Sequence, residues 1–336
     1  MKKTVFRLPH ILQTISVPEI GIFGYTTKEK DIVYDLETRE AFHVPQYYSG
    51  WGVFGYKGKP AMLSHDKTGV IDVRSGRIVL SVEAVIDQVL NYQNTAAFAV
   101  GPAIYTNSHK IPLTVRNGFH QPNDYEYVLD NRSGDLHHLP SGEKRGRFTG
   151  FSIIELVPTK GMPKALFDYQ HLVDLRGNVV WFPEQVESIK GGLFRRIRTQ
   201  RDHFYSREGR MLKVIDQPYT GRIRHNLLLT GTGKVYSLPR LREKHDISSS
   251  LAKIQTRRGR VAVPVDIVDV GQHDAVTVEL DGTQTTEITD LIMLPTGDIE
   301  ELIHNGRPWD WSINYDNKTY LRRAAGDETE IMVLQP

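Results

Sequence analysis

The sequence predicts a mainly β protein, and three observations carry that reading. Short runs of β-forming residues recur along the chain, separated by Gly, Asn, Asp and Ser. Several return strands end at proline, in Val44-Pro45, Leu139-Pro140, Phe182-Pro183 and Leu238-Pro239, where the missing N–H stops further pairing. Apolar residues at helical spacing are confined to two or three short segments.

Taken in chain order, Val5, Phe6, Ile11 and Leu12 are expected to enter the fold as an N-terminal strand. Val33-Tyr34-Asp35-Leu36 precedes a turn at Thr38-Arg39. Between Met62 and Ser81, turns at Lys67-Thr68-Gly69 and Arg74-Ser75-Gly76 bracket Val70-Ile71-Asp72-Val73, which predicts a three-stranded meander. The same phrase returns at Tyr127-Val128-Leu129-Asp130 before Ser133-Gly134, and at Leu172-Val173-Asp174-Leu175 before Arg176-Gly177. It returns again at Leu227-Leu228-Leu229 before Thr232-Gly233, at 276–280 before Asp281-Gly282, and at 291–294 before Thr296-Gly297. Asp35, Asp72, Asp130 and Asp174 each sit just before a turn, where a carboxylate accepts the turn's own N–H groups.

Two or three short helices are expected. Residues 81–93 place Val82, Val85, Ile86, Val89 and Leu90 on one helical face, with Ser81 and Asn94 as caps. Residues 183–190 read as a short helix stopped by Gly191-Gly192. Residues 248–258 bury Leu251 and Ile254, carry Arg257 and Arg258 at the negative end, and stop at Gly259.

The hairpins Ile71-Asp72-Val73-Arg74-Ser75-Gly76 and Leu129-Asp130-Asn131-Arg132-Ser133-Gly134 resemble those of β-propeller proteins in general. At roughly 40–50 residues per four-stranded blade, the resemblance implies about six or seven blades in a single domain over 1–336. Radial closure would also leave few long strand edges. Two packed β-sandwich or barrel domains are the alternative. Trp309-Asp310 has no periodic Gly-His partner and no double-glycine pattern repeats, so neither the WD40 nor the kelch family is indicated. Trp309, Asp310 and Trp311 beside Arg307 read as a packed strand end, with a binding rim as the other reading.

The 336 residues include no cysteine, which removes disulfides, thiolate zinc sites, iron–sulfur clusters and cysteine nucleophiles. There is no HExxH, GxSxG or P-loop pattern. Gly231-Thr232-Gly233-Lys234 lies in a hairpin, and the adjacent His137 and His138 point to opposite faces of a strand. No catalytic residue, metal or small-molecule cofactor is therefore expected. Asp266, Asp269, Asp274 and Glu279 leave a glycosidase-like propeller enzyme as a remote alternative. No signal peptide is recognised after Met1-Lys2-Lys3 and no apolar run is long enough for a spanning helix, so a cytoplasmic protein without a membrane partner is expected.

Charge distribution carries the functional reading. The formal charge is +2, yet residues 1–189 are neutral, 190–260 carry 18 basic against 5 acidic groups, and 261–336 carry 4 basic against 15 acidic. The basic segment interleaves arginines with Phe194, Phe204 and Tyr236. Arginine forks grip phosphates and aromatic faces stack on unpaired bases. The reading is a non-enzymatic nucleic-acid-binding protein that prefers RNA or a ribonucleoprotein such as the ribosome. Its expected contacts are Lys190, Arg195, Arg196, Arg198, Arg201, Arg207, Arg210, Arg222, Arg224, Arg257, Arg258 and Arg260. The alternative is a protein-binding scaffold or self-assembling structural component, whose acidic C-terminal part, with Asp298, Glu300, Glu301, Asp327, Glu328 and Glu330, docks a basic protein. In a third arrangement the basic and acidic zones neutralise each other.

Overall fold

The structure is a computed structural model. It describes residues 1–336 apart from 27–30, 123–124, 150–152, 160, 190–191, 197–201, 216–221, 282–286, 336 and the Arg222 side chain. The chain divides into two compact units, one of Leu12–Gln185 and one of Met1–Ile11 with Val186–Pro336.

The expected strands form because each apolar run meets its turn. Among the described residues they build nine antiparallel sheets, over 14–43, 47–81, 88–112, 119–147 and 153–181 in the first unit. In the second unit they run over 186–215, 222–246, 262–301 and 311–335. In each, chain neighbours pair in order, the four-stranded meander of a β-propeller blade. In the second sheet a 3-10 turn at Ser49–Trp51 splits the first strand into Tyr47–Tyr48 and Phe54–Tyr56. In the ninth, the N-terminal strand Lys2–Leu8 pairs with Glu328–Gln335 and completes the sheet.

The fold is a β-propeller, with nine blades where six or seven were expected. The count rises because the strands are short. Successive sheets begin at residues 14, 47, 88, 119, 153, 186, 222, 262 and 311, mostly 31–41 residues apart. Many strands have three to five residues and are joined by tight turns, as in Lys164–Phe167, His171–Val173 and Val179–Trp181.

Within each unit consecutive sheets pack face on face. Phe23 and Val33 meet Met62 and Ile71 between the first two sheets, and Leu129 and Leu136 meet Leu156 and Ala165 between the fourth and fifth. In the other unit Phe204 meets Leu228, Leu229 meets Ile267, and Val268 meets Leu321. Strands are therefore buried on both faces, and their sequences read as unbroken apolar runs.

That double burial explains the corrections to the helices. Residues 82–87 form a loop and Gln88–Tyr92 a strand, not a helix. Val89 packs towards the second sheet while Leu90 and Tyr92 pack towards the fourth, so an apolar run with valines imitated helical spacing. Gln93 and Asn94, at φ 41° and 62°, turn the chain back into Thr95–Val100. Residues 183–190 likewise contain the strand Val186–Ile189, held by its pairing with Leu193–Arg196. Ile11 and Leu12 lie outside the N-terminal strand.

The helix Ser248–Arg258 forms as expected and is the one α-helix among the described residues. It buries Leu251 and Ile254 against the seventh and eighth sheets and stops at Gly259, whose φ of 67° suits a residue without Cβ. No helix of the described residues is long and apolar enough to cross a membrane.

Candidate functional site

The basic and acidic segments lie in the same unit, and their charges meet there. Arg224 donates to Asp269 at 2.7 Å, from the seventh sheet to the eighth. At the end of the helix, Arg257 pairs with Asp290, a fully buried carboxylate. Arg258 lies 3.5 Å from Asp290 and 2.8 Å from Glu301, and these two carboxylates, against the cost of its burial, raise its pKa further. Arg260 reaches Glu287 at 2.7 Å and the carbonyls of Leu280 and Asp281. The fork geometry that suits phosphate is here satisfied by carboxylates.

The other expected contacts are scattered. Arg195 is bound by Glu187 across the strand pair and lies 3.9 Å from Asp202. Arg196 and Arg207 are half-buried and Arg210 is exposed. Arg222 belongs to the strand Arg222–Arg224. Lys190, Arg198 and Arg201 lie outside the described residues. The aromatic residues between them are core: Phe194 and Phe204 are fully buried and Tyr236 nearly so. The basic side chains of the strand Lys144–Arg147 are also paired, Lys144 with Asp135 at 2.7 Å and Arg145 with Glu143 at 2.8 Å.

One acidic group that the sequence singled out comes together. Asp269 and Asp274 face each other across the hairpin of the eighth sheet. His225 Nδ1 lies 3.1 Å from Asp269 and 2.9 Å from Asp274. These three offer ligand atoms within 4.8 Å of one another, but Arg224 already holds Asp269, so a cation there would meet a guanidinium. Asp266 caps the N–H of Ile267, and Glu279 stands on another part of the strand, its pKa raised by burial and by Asp281. Trp309 is fully buried, donates to the Leu302 carbonyl and carries Arg323 over its ring, as a packed strand end would.

Sequence reasoning missed the edges of the sheets. The fourth strand of each blade leaves one edge without a pairing strand among the described residues. Five of these strands carry acidic or basic side chains that discourage pairing: Lys2–Leu8, Lys110–Pro112, Lys144–Arg147, Arg242–Asp246 and Ile299–Glu301. A sixth, Ala41–His43, shows alanine and histidine. The remaining three, Ile78–Ser81, Val179–Trp181 and Met211–Ile215, whose lone Lys213 is half-buried with its ammonium over the Tyr236 ring, expose Ile78, Val79, Val179, Trp181, Met211, Leu212 and Val214. These are seven of the fourteen exposed large hydrophobic residues described, so exposure is concentrated there. The sequence signal was the unbroken run, such as Val179-Val180-Trp181, which is indistinguishable from a strand buried on both faces.

No protein-family model matches the chain, and no curated protein matches it. Among solved structures, BamB from Moraxella catarrhalis is similar at 13% identity and a TM-score of 0.40, over 99% of this chain and 98% of that one. A virginiamycin B lyase from Staphylococcus aureus with quinupristin is similar at 10% identity and 0.35, over 99% and 100%. The β-propeller domain of Cps50 (Swd1) from Myceliophteria thermophila is similar at 9% identity and 0.37, over 98% and 99%. The fold assignment rests on the sheet topology of the chain itself.

Proposed function

We propose that the chain is a protein-binding scaffold, a binding rather than a catalytic protein, which docks partners along the apolar fourth-strand edges of its blades. The observation that carries this reading is the concentration of exposed apolar side chains on Ile78–Ser81, Val179–Trp181 and Met211–Ile215, beside five edges protected by charge. An open strand edge offers backbone N–H and C=O groups for affinity and alternate side chains for specificity. The RNA reading loses support because Arg195, Arg224, Arg257, Arg258 and Arg260 already hold carboxylates. Pulling each into a phosphate contact would strand a half-buried or buried acid.

Position-specific photo-crosslinking in cells tests this. A crosslinker at Val79, Val179 or Leu212 is expected to yield discrete protein adducts, whereas one at the exposed Lys244 is not. RNA adducts from Arg207 and Arg210, with none to protein from the edges, would overturn the scaffold reading in favour of RNA.

A further inference from the structure

We propose that the edge strand Val179–Trp181 pairs antiparallel with the same strand of a second copy of this chain. The inference rests on the reading of apolar edges as docking surfaces and adds which edge is used and by what.

The three apolar edges differ in regularity. Ile78–Ser81 has a register shift between Ile78 and Leu80, and Met211–Ile215 has one opposite Phe204 and Tyr205. Such irregularities bend an edge and spoil an added ladder. Val179–Trp181 pairs with His171–Val173 without any shift. Symmetry separates them further. A two-fold axis through Met211–Ile215 at its middle residue sets Lys213 against Lys213, which is unfavourable. A two-fold axis through Val180 sets Val179 against the other copy's Trp181, and brings no like charges together within the strand.

The backbone is oriented for this. Asp174 N–H donates to the Asn178 carbonyl at 3.1 Å, and Phe182 N–H donates to the Gln170 carbonyl at 2.9 Å. Antiparallel alternation then directs Val180 inward, to Leu172, and leaves the N–H and C=O of Val179 and Trp181 directed outward. The two-fold arrangement matches those groups in reciprocal pairs. Val179 and Trp181 share one face of the strand, 45% and 69% exposed, and Trp181 is the most exposed large hydrophobic residue described. Its ring stands edge-on to His171, with 3.8 Å between the ring centroids. Two Val–Trp cross-strand contacts result, a pairing that favours sheets. Antiparallel pairing also brings the end with exposed Arg176 of one copy towards the Glu184 end of the other.

Sedimentation velocity from about 1 to about 100 μM, the affinity range suited to a short interface, is the test. The unaltered chain is expected to shift from one to two copies across that range. Trp181→Lys and Val179→Lys should stay single with unchanged circular dichroism, because both positions are solvent-facing. Met211→Lys, on another apolar edge, should dimerise as before. An unaltered chain that stays single throughout, or a dimer indifferent to both Lys variants, would overturn the proposal. If the unaltered chain stays single but a crosslinker at Val179 still captures protein, the second copy is wrong and the scaffold reading stands. If neither occurs at that edge and none at the other two, both fail.

Discussion

Asp130 accepts four hydrogen bonds, from the N–H groups of Arg132 and Ser133 on one oxygen and from the N–H and hydroxyl of Thr114 on the other, at 2.6–3.1 Å. Asp35 and Asp72 repeat the first half of that pattern, and Asp174 accepts from the N–H groups of Arg176 and Asn178 instead. This much was legible, because an aspartate before a tight turn has a local partner whatever the tertiary fold. Burial works to raise the Asp130 pKa, but the bonds from Ser133, Thr114 and Arg132 outweigh it and hold the group low. The stability it contributes is therefore present above about pH 4 and lost as pH falls through the depressed value. Asp130→Ala should cost about 1–3 kcal/mol in urea unfolding at neutral pH, as the part-buried hydrogen bonds from Arg132, Ser133 and Thr114 to a charged acceptor are lost. His120 is a second pH-dependent point. Burial lowers its pKa, and its Nδ1 accepts the Leu156 N–H at 3.2 Å, which requires that nitrogen to be unprotonated. His137 and His245 are lowered too, burial being the first cause in each. A base with a lowered folded pKa favours the unfolded state as pH drops below about 6.5, so the urea midpoint should fall from pH 7 to pH 5. His120→Asn, which retains an acceptor near Nδ1, should flatten part of that slope. An unchanged slope would contradict this account of His120.

At the level of elements, hairpins were legible wherever a turn residue enforced the return, and the helix Ser248–Arg258 was legible because Gly259 stops it. The strand Gln88–Tyr92 was not, because sheets on both sides bury it and erase its period of two. The edges failed for the mirror-image reason: an apolar run reads the same whether a neighbouring sheet covers it or nothing does. The ninth sheet depends on a contact that no local pattern reveals. Arg323 and Glu330, both almost fully buried, meet at 2.6 Å, while Arg323 also donates to the Arg307 carbonyl and Arg7 joins Glu330 at 2.9 Å from the N-terminal strand. Burial pushes the Glu330 pKa up, and the two arginines more than reverse that. Arg323→Met should destabilise by about 3–5 kcal/mol, because a buried carboxylate is left poorly compensated. Arg323→Met with Glu330→Leu should cost less than the single change. A double variant that unfolds more easily than the single one would show that the pair acts otherwise.

For the molecule as a whole, the formal charge of +2 is a sum of opposed segments, and these segments sit in one compact unit with their side chains joined. The sequence recorded the opposition. It carried no information on whether Arg224, Arg257, Arg258 and Arg260 would face carboxylates or solvent, because that depends on which sheets stack. Buried and half-buried pairs are screened less than exposed ones, so raising salt from about 0.1 to about 1 M should lower the thermal midpoint only slightly. A large salt-induced loss of stability would place these charges at the surface instead. Scaffold and RNA readings diverge most clearly in native co-purification, with and without ribonuclease, of three versions of the chain: the unaltered protein, an edge-charged variant (Val79→Lys, Val179→Lys, Leu212→Lys) and an arginine-neutralised variant (Arg196→Gln, Arg207→Gln, Arg210→Gln). Protein partners should survive ribonuclease and the arginine changes and be lost with the charged edges. Partners that depart with ribonuclease and with the arginines, while the charged edges change nothing, would contradict the account.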